Sequence, residues 1–167
     1  MDTARLRQSI ADHCGLDPRN VHAYVIGEHG DSEIVNWTNV DIVGTPIKEF
    51  CGNCKGYCED VLFEKLFEET RSAAYRVVEK KGSTYYGIGL AVSKVLSTIP
   101  NDQHSVLTVS SVHREFEGMQ DVPFSVPSIL GRSGVERILH VGLSEEEIQG
   151  LSKSTGVITD AIESLKG

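Results

Sequence analysis

The sequence predicts an α+β domain, and three observations point there. Apolar residues recur at helical spacing in four segments, and short runs rich in β-branched residues lie between turn-forming residues. The order of these elements also lacks the regular strand–helix alternation of a doubly wound sheet. At 167 residues the chain is long enough for one domain with its own core and short for two full-sized ones.

Taken in order, Asp2 to Cys14 places Leu6, Ile10 and Cys14 on one stripe and meets a stop at Gly15, so it predicts a helix, one that starts without a cap of its own. After an Asp17-Pro18 turn, Val21 to Ile26 predicts a strand, and a glycine-flanked loop, Glu28-His29-Gly30-Asp31, follows it. Ile34 to Val43 predicts one or two short strands, and Thr45-Pro46 marks a break. From Cys58 to Lys80 the residues Val61, Leu62, Leu66, Ala73, Ala74, Val77 and Val78 keep helical spacing. Two lysines and Gly82 close that helix, cations at its negative end and a glycine beyond. Another helix spans Tyr85 to Thr98, before Pro100. Ser105 to His113, Val126 to Leu130 and Val135 to Leu139 predict antiparallel strands, the last two joined by a hairpin at Gly131 to Gly134. Ser144, with Glu147 three residues on, predicts a capping box opening a helix toward Leu165.

Composition excludes several classes. The chain has 24 acidic against 16 basic residues and no basic cluster, which argues against nucleic acid as a partner. No apolar stretch approaches the roughly 20 residues of a membrane-spanning helix, and the polar start Asp2 to Arg7 does not suit a secretion signal, so a cytoplasmic location is expected. The cysteines Cys14, Cys51, Cys54 and Cys58 are too sparse for a disulfide scaffold. Cys51 and Cys54 have the spacing of a zinc knuckle, yet the matching pair is missing, so no metal is expected. Gly87-Ile88-Gly89 resembles the start of a dinucleotide fingerprint, but Val92 stands at its third glycine and no buried strand precedes it. No Rossmann domain is therefore expected in this chain.

Candidate chemistry centres on Asp2, Arg5 and His29. Asp2 and Arg5 share a helix face, where a carboxylate and a forked guanidinium could serve one cleft, although an exposed ion pair at a helix start fits the same spacing. A single histidine in a glycine-flanked loop after a strand is more often incidental than catalytic, so spacing alone does not carry the argument.

Two segments, Asp2-Thr3-Ala4-Arg5-Leu6-Arg7 and Ile26-Gly27-Glu28-His29-Gly30-Asp31-Ser32, resemble signature segments of the L-lactate dehydrogenase family and stand at that family's separation. The likeness continues through Gly82-Ser83-Thr84-Tyr85-Tyr86-Gly87-Ile88-Gly89 and Pro127-Ser128-Ile129-Leu130-Gly131, and covers essentially the whole chain. The resemblance implies a C-terminal, substrate-binding domain over residues 1–167 of the bacterial, fructose 1,6-bisphosphate-regulated type, without the nucleotide-binding half.

It further implies that His29 exchanges a proton with the substrate oxygen while NAD, bound mainly by the other half, exchanges a hydride with the carbon. Imidazole suits the task because it titrates near neutral pH. Asp2 matches the carboxylate that orients the imidazole, and Arg5 the guanidinium that grips the acid group of pyruvate or L-lactate in two parallel hydrogen bonds. Thr84 matches a residue lining the substrate pocket, and Ile88 an apolar contact to the nicotinamide. Arg7 and His22 match an allosteric site for fructose 1,6-bisphosphate in a homo-oligomer, a tetramer in the intact family. Malate or another 2-hydroxy acid as substrate, or a non-catalytic assembly and regulatory module, are the alternatives. The isolated fragment is expected to be inactive.

Overall fold

The computed structural model describes residues 1–50 and 60–166; Cys51, Cys54 and Cys58 lie outside them, so the metal expectation drawn on those cysteines does too. In chain order the elements are α1 (Asp2–Cys14), β1 (Val21–His22), β2 (Val25–Ile26), β3 (Ile34–Val35), β4 (Asp41–Ile42) and β5 (Thr45–Pro46). They continue as α2 (Ile47–Phe50), α3 (Asp60–Lys81), α4 (Tyr85–Thr98), β6 (Ser105–His113), β7 (Val122–Gly131), β8 (Gly134–Ile138) and α5 (Glu145–Ser164). Every strand pair is antiparallel, in sheets ordered β1-β4-β5, β2-β3 and β6-β7-β8. The α+β class expected from the sequence is the class observed. The chain forms two compact units, one of residues 1–23 and 39–95, the other of residues 24–38 and 96–167.

In the first unit α1 packs on α3 and β1. Its stripe of Leu6, Ile10 and Cys14 is buried, with Ala11 beside it, against a core that includes Val21, Val40, Ile42, Ile47, Phe63 and Leu66. Fully burying a leucine or isoleucine is worth about 1.5–3 kcal/mol, so Leu6 and Ile10 alone outweigh the uncapped start of this helix. The helix stops because Gly15 adopts φ 70°, a left-handed conformation that costs glycine little, and returns its N–H to the Ala11 carbonyl.

Two expectations about this region are corrected. Thr45-Pro46 is not merely a break: both residues pair with β4, in the register Asp41 to Pro46 and Ile42 to Thr45. The turn between them places Val43 and Gly44 at positive φ, and the Asp41 carboxylate accepts from the Gly44 N–H at 2.8 Å, a local bond that substitutes for turn-forming sequence. The run Val21 to Ile26 is not one strand. It divides at Ala23 and Tyr24 into β1 and β2, which pair with different partners. The carbonyls at the division are spoken for elsewhere: Arg7 Nε donates to that of Ala23 at 3.1 Å, and the Asn36 N–H to that of Tyr24 at 3.1 Å.

The second unit is built on the β6-β7-β8 sheet, whose inner face carries Val122, Phe124 and Val126 against Ile26, Phe116, Met119 and Leu151 of α5. His113 is buried here; its ring lies 4.3 Å from that of Phe124, and its Nε2 is 2.9 Å from the Phe124 carbonyl. β7 begins at Val122, earlier than the expected Val126, and runs through Pro123 and Pro127. Prolines are tolerated because of where their nitrogens point. In an antiparallel strand a residue's N and O face the same side, and the Pro127 carbonyl accepts from Leu139 at 2.9 Å, away from β6. No donor is therefore missed in the ladder with β6, and on the other side the pairing with β8 starts at Ser128, which leaves Pro127 beyond the end of that ladder. The hairpin between Gly131 and Gly134, the helix α4 and the capping box of α5 are as expected.

Candidate active site

Asp2 and Arg5 belong to the first turn and a half of α1. Their i, i+3 spacing brings them together as anticipated: Arg5 Nη1 donates to Asp2 Oδ1 at 2.7 Å. Asp2 is buried and Arg5 half-buried, which removes this pair from the category of solvated surface bridges. One of the five donors of the guanidinium is used in this bond, and the planar fork retains others for an oxyanion. Two residues further along α1, Arg7 donates through Nε to the Ala23 carbonyl, immediately after His22 on β1. Arg7 is thereby anchored beside the strand that carries His22, and His22 is exposed.

Thr84 directly precedes α4, and its carbonyl accepts the Ile88 N–H at 3.2 Å, so the two stand one helical turn apart. Thr84 is half-buried. Ile88 is 49% exposed, an apolar side chain offered to solvent in a helix that also exposes Tyr85, Tyr86 and Leu90.

His29 is carried by the second unit, in the loop that joins β2 to β3. The loop is held at several points. Gly27 exchanges both backbone hydrogen bonds with Ser125 of β7. The Glu28 N–H donates to Ser154 Oγ of α5 at 2.8 Å. The Glu28 carboxylate accepts from the Ser32 hydroxyl at 2.5 Å and the Ser32 N–H at 3.3 Å, closing the loop across His29. His29 itself is exposed. An exposed imidazole on a backbone fixed from both sides is suited to proton exchange with a small molecule, because the ring is accessible while its attachment is not free to wander.

The sequence reasoning did not find the Glu28–Ser32 closure or Ser154. The first has a local signal, an acid and a hydroxyl four residues apart around the histidine; the second has none, standing 126 positions away. Elsewhere in the second unit Asp102, His104 and Glu136 bring one ligand atom each within 4.8 Å of one another. Both carboxylates are engaged at the β7–β8 turn, Asp102 accepting from the Arg132 N–H at 2.7 Å and Glu136 from the Ser133 N–H at 3.3 Å, and the cluster reads as a turn-stabilising network. No helix among the described residues is long and apolar enough to cross a membrane.

This fold is that of a dehydrogenase C-terminal α/β domain. The family described as lactate/malate dehydrogenase, alpha/beta C-terminal domain, matches residues 1–167, and the chain belongs to it. It is 65% identical over 167 residues to an L-lactate dehydrogenase of Kosmotoga olearia, covering 99% of this chain and 52% of that protein. An L-lactate dehydrogenase of Thermoanaerobacter sp. is 44% identical, with 99% and 53% covered. Among solved structures, a lactate dehydrogenase from a Medee basin deep-sea metagenome superposes with a TM-score of 0.94 at 33% identity, covering 99% of this chain and 53% of that one. The minor L-lactate dehydrogenase of Enterococcus mundtii gives 0.92 at 32% identity, covering 98% and 52%. The chain thus spans about half the length of the curated relatives it matches.

Proposed function

We propose that this chain is the substrate-binding and proton-transferring half of an NAD-dependent L-lactate dehydrogenase, acting in the cytoplasm on pyruvate and L-lactate. The observation that carries the reading is 65% identity, across the full chain, with an L-lactate dehydrogenase, together with a histidine loop and an arginine–carboxylate pair of the chemistry such a reaction requires. The hydride for the carbonyl carbon would come from NADH held mainly by the nucleotide-binding half. The residues of this chain handle the rest. His29 gives a proton to the carbonyl oxygen as the alcohol forms and recovers it in the reverse direction. Asp2 steadies the imidazolium by its negative charge, and Arg5 holds the substrate carboxylate in a planar, two-bond grip that presents the carbonyl to attack. Thr84 lines the substrate pocket. Ile88 fits a nicotinamide because it offers an exposed apolar surface one helical turn beyond Thr84.

Turnover needs a nucleotide-binding half, so the chain alone is inactive. The test is spectrophotometric: NADH oxidation with pyruvate is followed for the chain alone and for the chain joined to the nucleotide-binding half of the Kosmotoga olearia relative. Turnover by the joined protein and none by the chain is expected. Robust turnover by the chain alone, or a joined protein that binds NADH and leaves pyruvate untouched, would overturn the reading. The family description spans lactate and malate enzymes, so oxaloacetate is run in parallel; a preference for it would replace lactate by malate.

Arg7 and His22 form the regulatory site in this reading, two cationic groups for the phosphates of fructose 1,6-bisphosphate at a subunit boundary of a homotetramer. The Arg7–Ala23 bond beside His22 supports it. Titrating the bisphosphate while following sedimentation tests it: a ligand-dependent shift in assembly is expected, and assembly indifferent to the ligand would count against the site.

A further inference from the structure

We infer that Ser154, in the body of α5, is a positioning residue for His29: its hydroxyl fixes the backbone on which the imidazole stands. This rests on the dehydrogenase reading for its purpose and on geometry alone for its mechanism.

A serine inside a helix ordinarily returns its hydroxyl to a carbonyl of its own preceding turn, as Thr159 does to Thr155 at 3.1 Å in the same helix. Ser154 is fully buried, and its Oγ accepts instead from the N–H of Glu28, the residue immediately before His29, at 2.8 Å. The same oxygen lies 3.3 Å from Ser32 Oγ. The Ser32 hydroxyl proton is committed to the Glu28 carboxylate at 2.5 Å, so in the contact between the two serines Ser154 donates. Ser154 therefore accepts a hydrogen bond from one side of the loop and donates one to the other, in a chain running Ser154 to Ser32 to Glu28, each bond polarising the next. His29 is the first of the three loop residues between these anchors, directly after Glu28.

Gly27 records the same constraint. A Cβ there would stand 2.5 Å from Ser154 Oγ, and its φ is +97°. The backbone passes so close to this hydroxyl that a side chain has no room. Proton transfer depends on donor placement at the scale of a fraction of an ångström, which an exposed loop does not hold without such anchors.

Ser154→Ala and Ser154→Thr are compared with the unaltered chain by amide hydrogen exchange, with Val126 in β7 as an internal reference, and by kcat and KM in the protein joined to the nucleotide-binding half. Losing one acceptor should speed exchange at the Glu28 amide by roughly tenfold without matching acceleration at Val126. It should lower kcat more than it raises KM, while Ser154→Thr, which keeps the hydroxyl, stays nearer the unaltered protein in both. Unchanged exchange at Glu28, or equal acceleration at Glu28 and Val126, would overturn the proposal, the latter marking general loosening. Failure of the dehydrogenase reading looks different: the joined protein would leave pyruvate untouched while Ser154→Ala still deprotects Glu28.

Discussion

Gly27 and Ser125 exchange two backbone hydrogen bonds, each 2.9 Å long, so the loop that carries His29 leaves from the side of β7 that faces away from β6. The joint leaves little tolerance. Gly27→Ala would meet Ser154 Oγ at 2.5 Å and force an L residue to φ +97°. Strain and overpacking together should cost about 2–4 kcal/mol. Chemical denaturation measures this directly, and a loss under 1 kcal/mol, on the order of an ordinary surface change, would mean the loop yields more readily than its bonds suggest.

Glu147 ties the start of α5 to Thr38. Its carboxylate closes the capping box with Ser144 at 2.8 Å and accepts from the N–H and hydroxyl of Thr38 at 2.9 and 2.8 Å. Glu147→Ala should destabilise by about 1–2 kcal/mol, more than the cap alone would give. A double-mutant cycle with Thr38→Ala, read by thermal melting, should show the two changes to be non-additive.

Leu151 is fully buried among Ile26, Phe124 and Val126, and its truncation to alanine removes apolar contact without removing a hydrogen bond. The expected loss is about 2–5 kcal/mol, depending on how far the site collapses. Leu165→Ala makes the control, since that side chain is exposed; its melting temperature should be unchanged.

Asp17 titrates low. The Arg19 side chain, then the Arg19 backbone N–H, donate to its carboxylate and pull its pKa from the ordinary 3.8 to about 2. A folded-state value below the unfolded one means the stabilising contribution is complete above 3.8 and fades as pH falls toward about 2. Carboxyl carbon chemical shifts should give the depressed midpoint, and Arg19→Ala should return it toward 3.8. The stability difference between the chain and Asp17→Asn should close over the same interval.

Much of the fold is legible in the sequence because it depends on neighbours. The stripe Leu6, Ile10, Cys14, the Ser144–Glu147 box and the glycine hairpin at Gly131 to Gly134 are each complete within a few residues. What is not legible depends on distant partners. Nothing in Val21 to Ile26 announces that Arg7 and Asn36 take the carbonyls of Ala23 and Tyr24 and divide the run. Pro123 and Pro127 argue locally against a strand, and only their placement, with nitrogens turned away from β6 and ahead of the β8 pairing, makes them harmless. The site divides in the same way: Asp2 and Arg5 are a helical spacing, whereas Ser154 reaches the His29 loop through tertiary structure alone.

The division of the chain into residues 1–23 with 39–95, and 24–38 with 96–167, means that the polypeptide passes from one unit to the other three times. A single backbone cut at any crossing would strip at least one unit of a segment it needs, and a cut between residues 38 and 39 would strip both. Neither unit corresponds to one continuous stretch of gene, so a recombination event that moved either one intact would have to carry residues of the other with it.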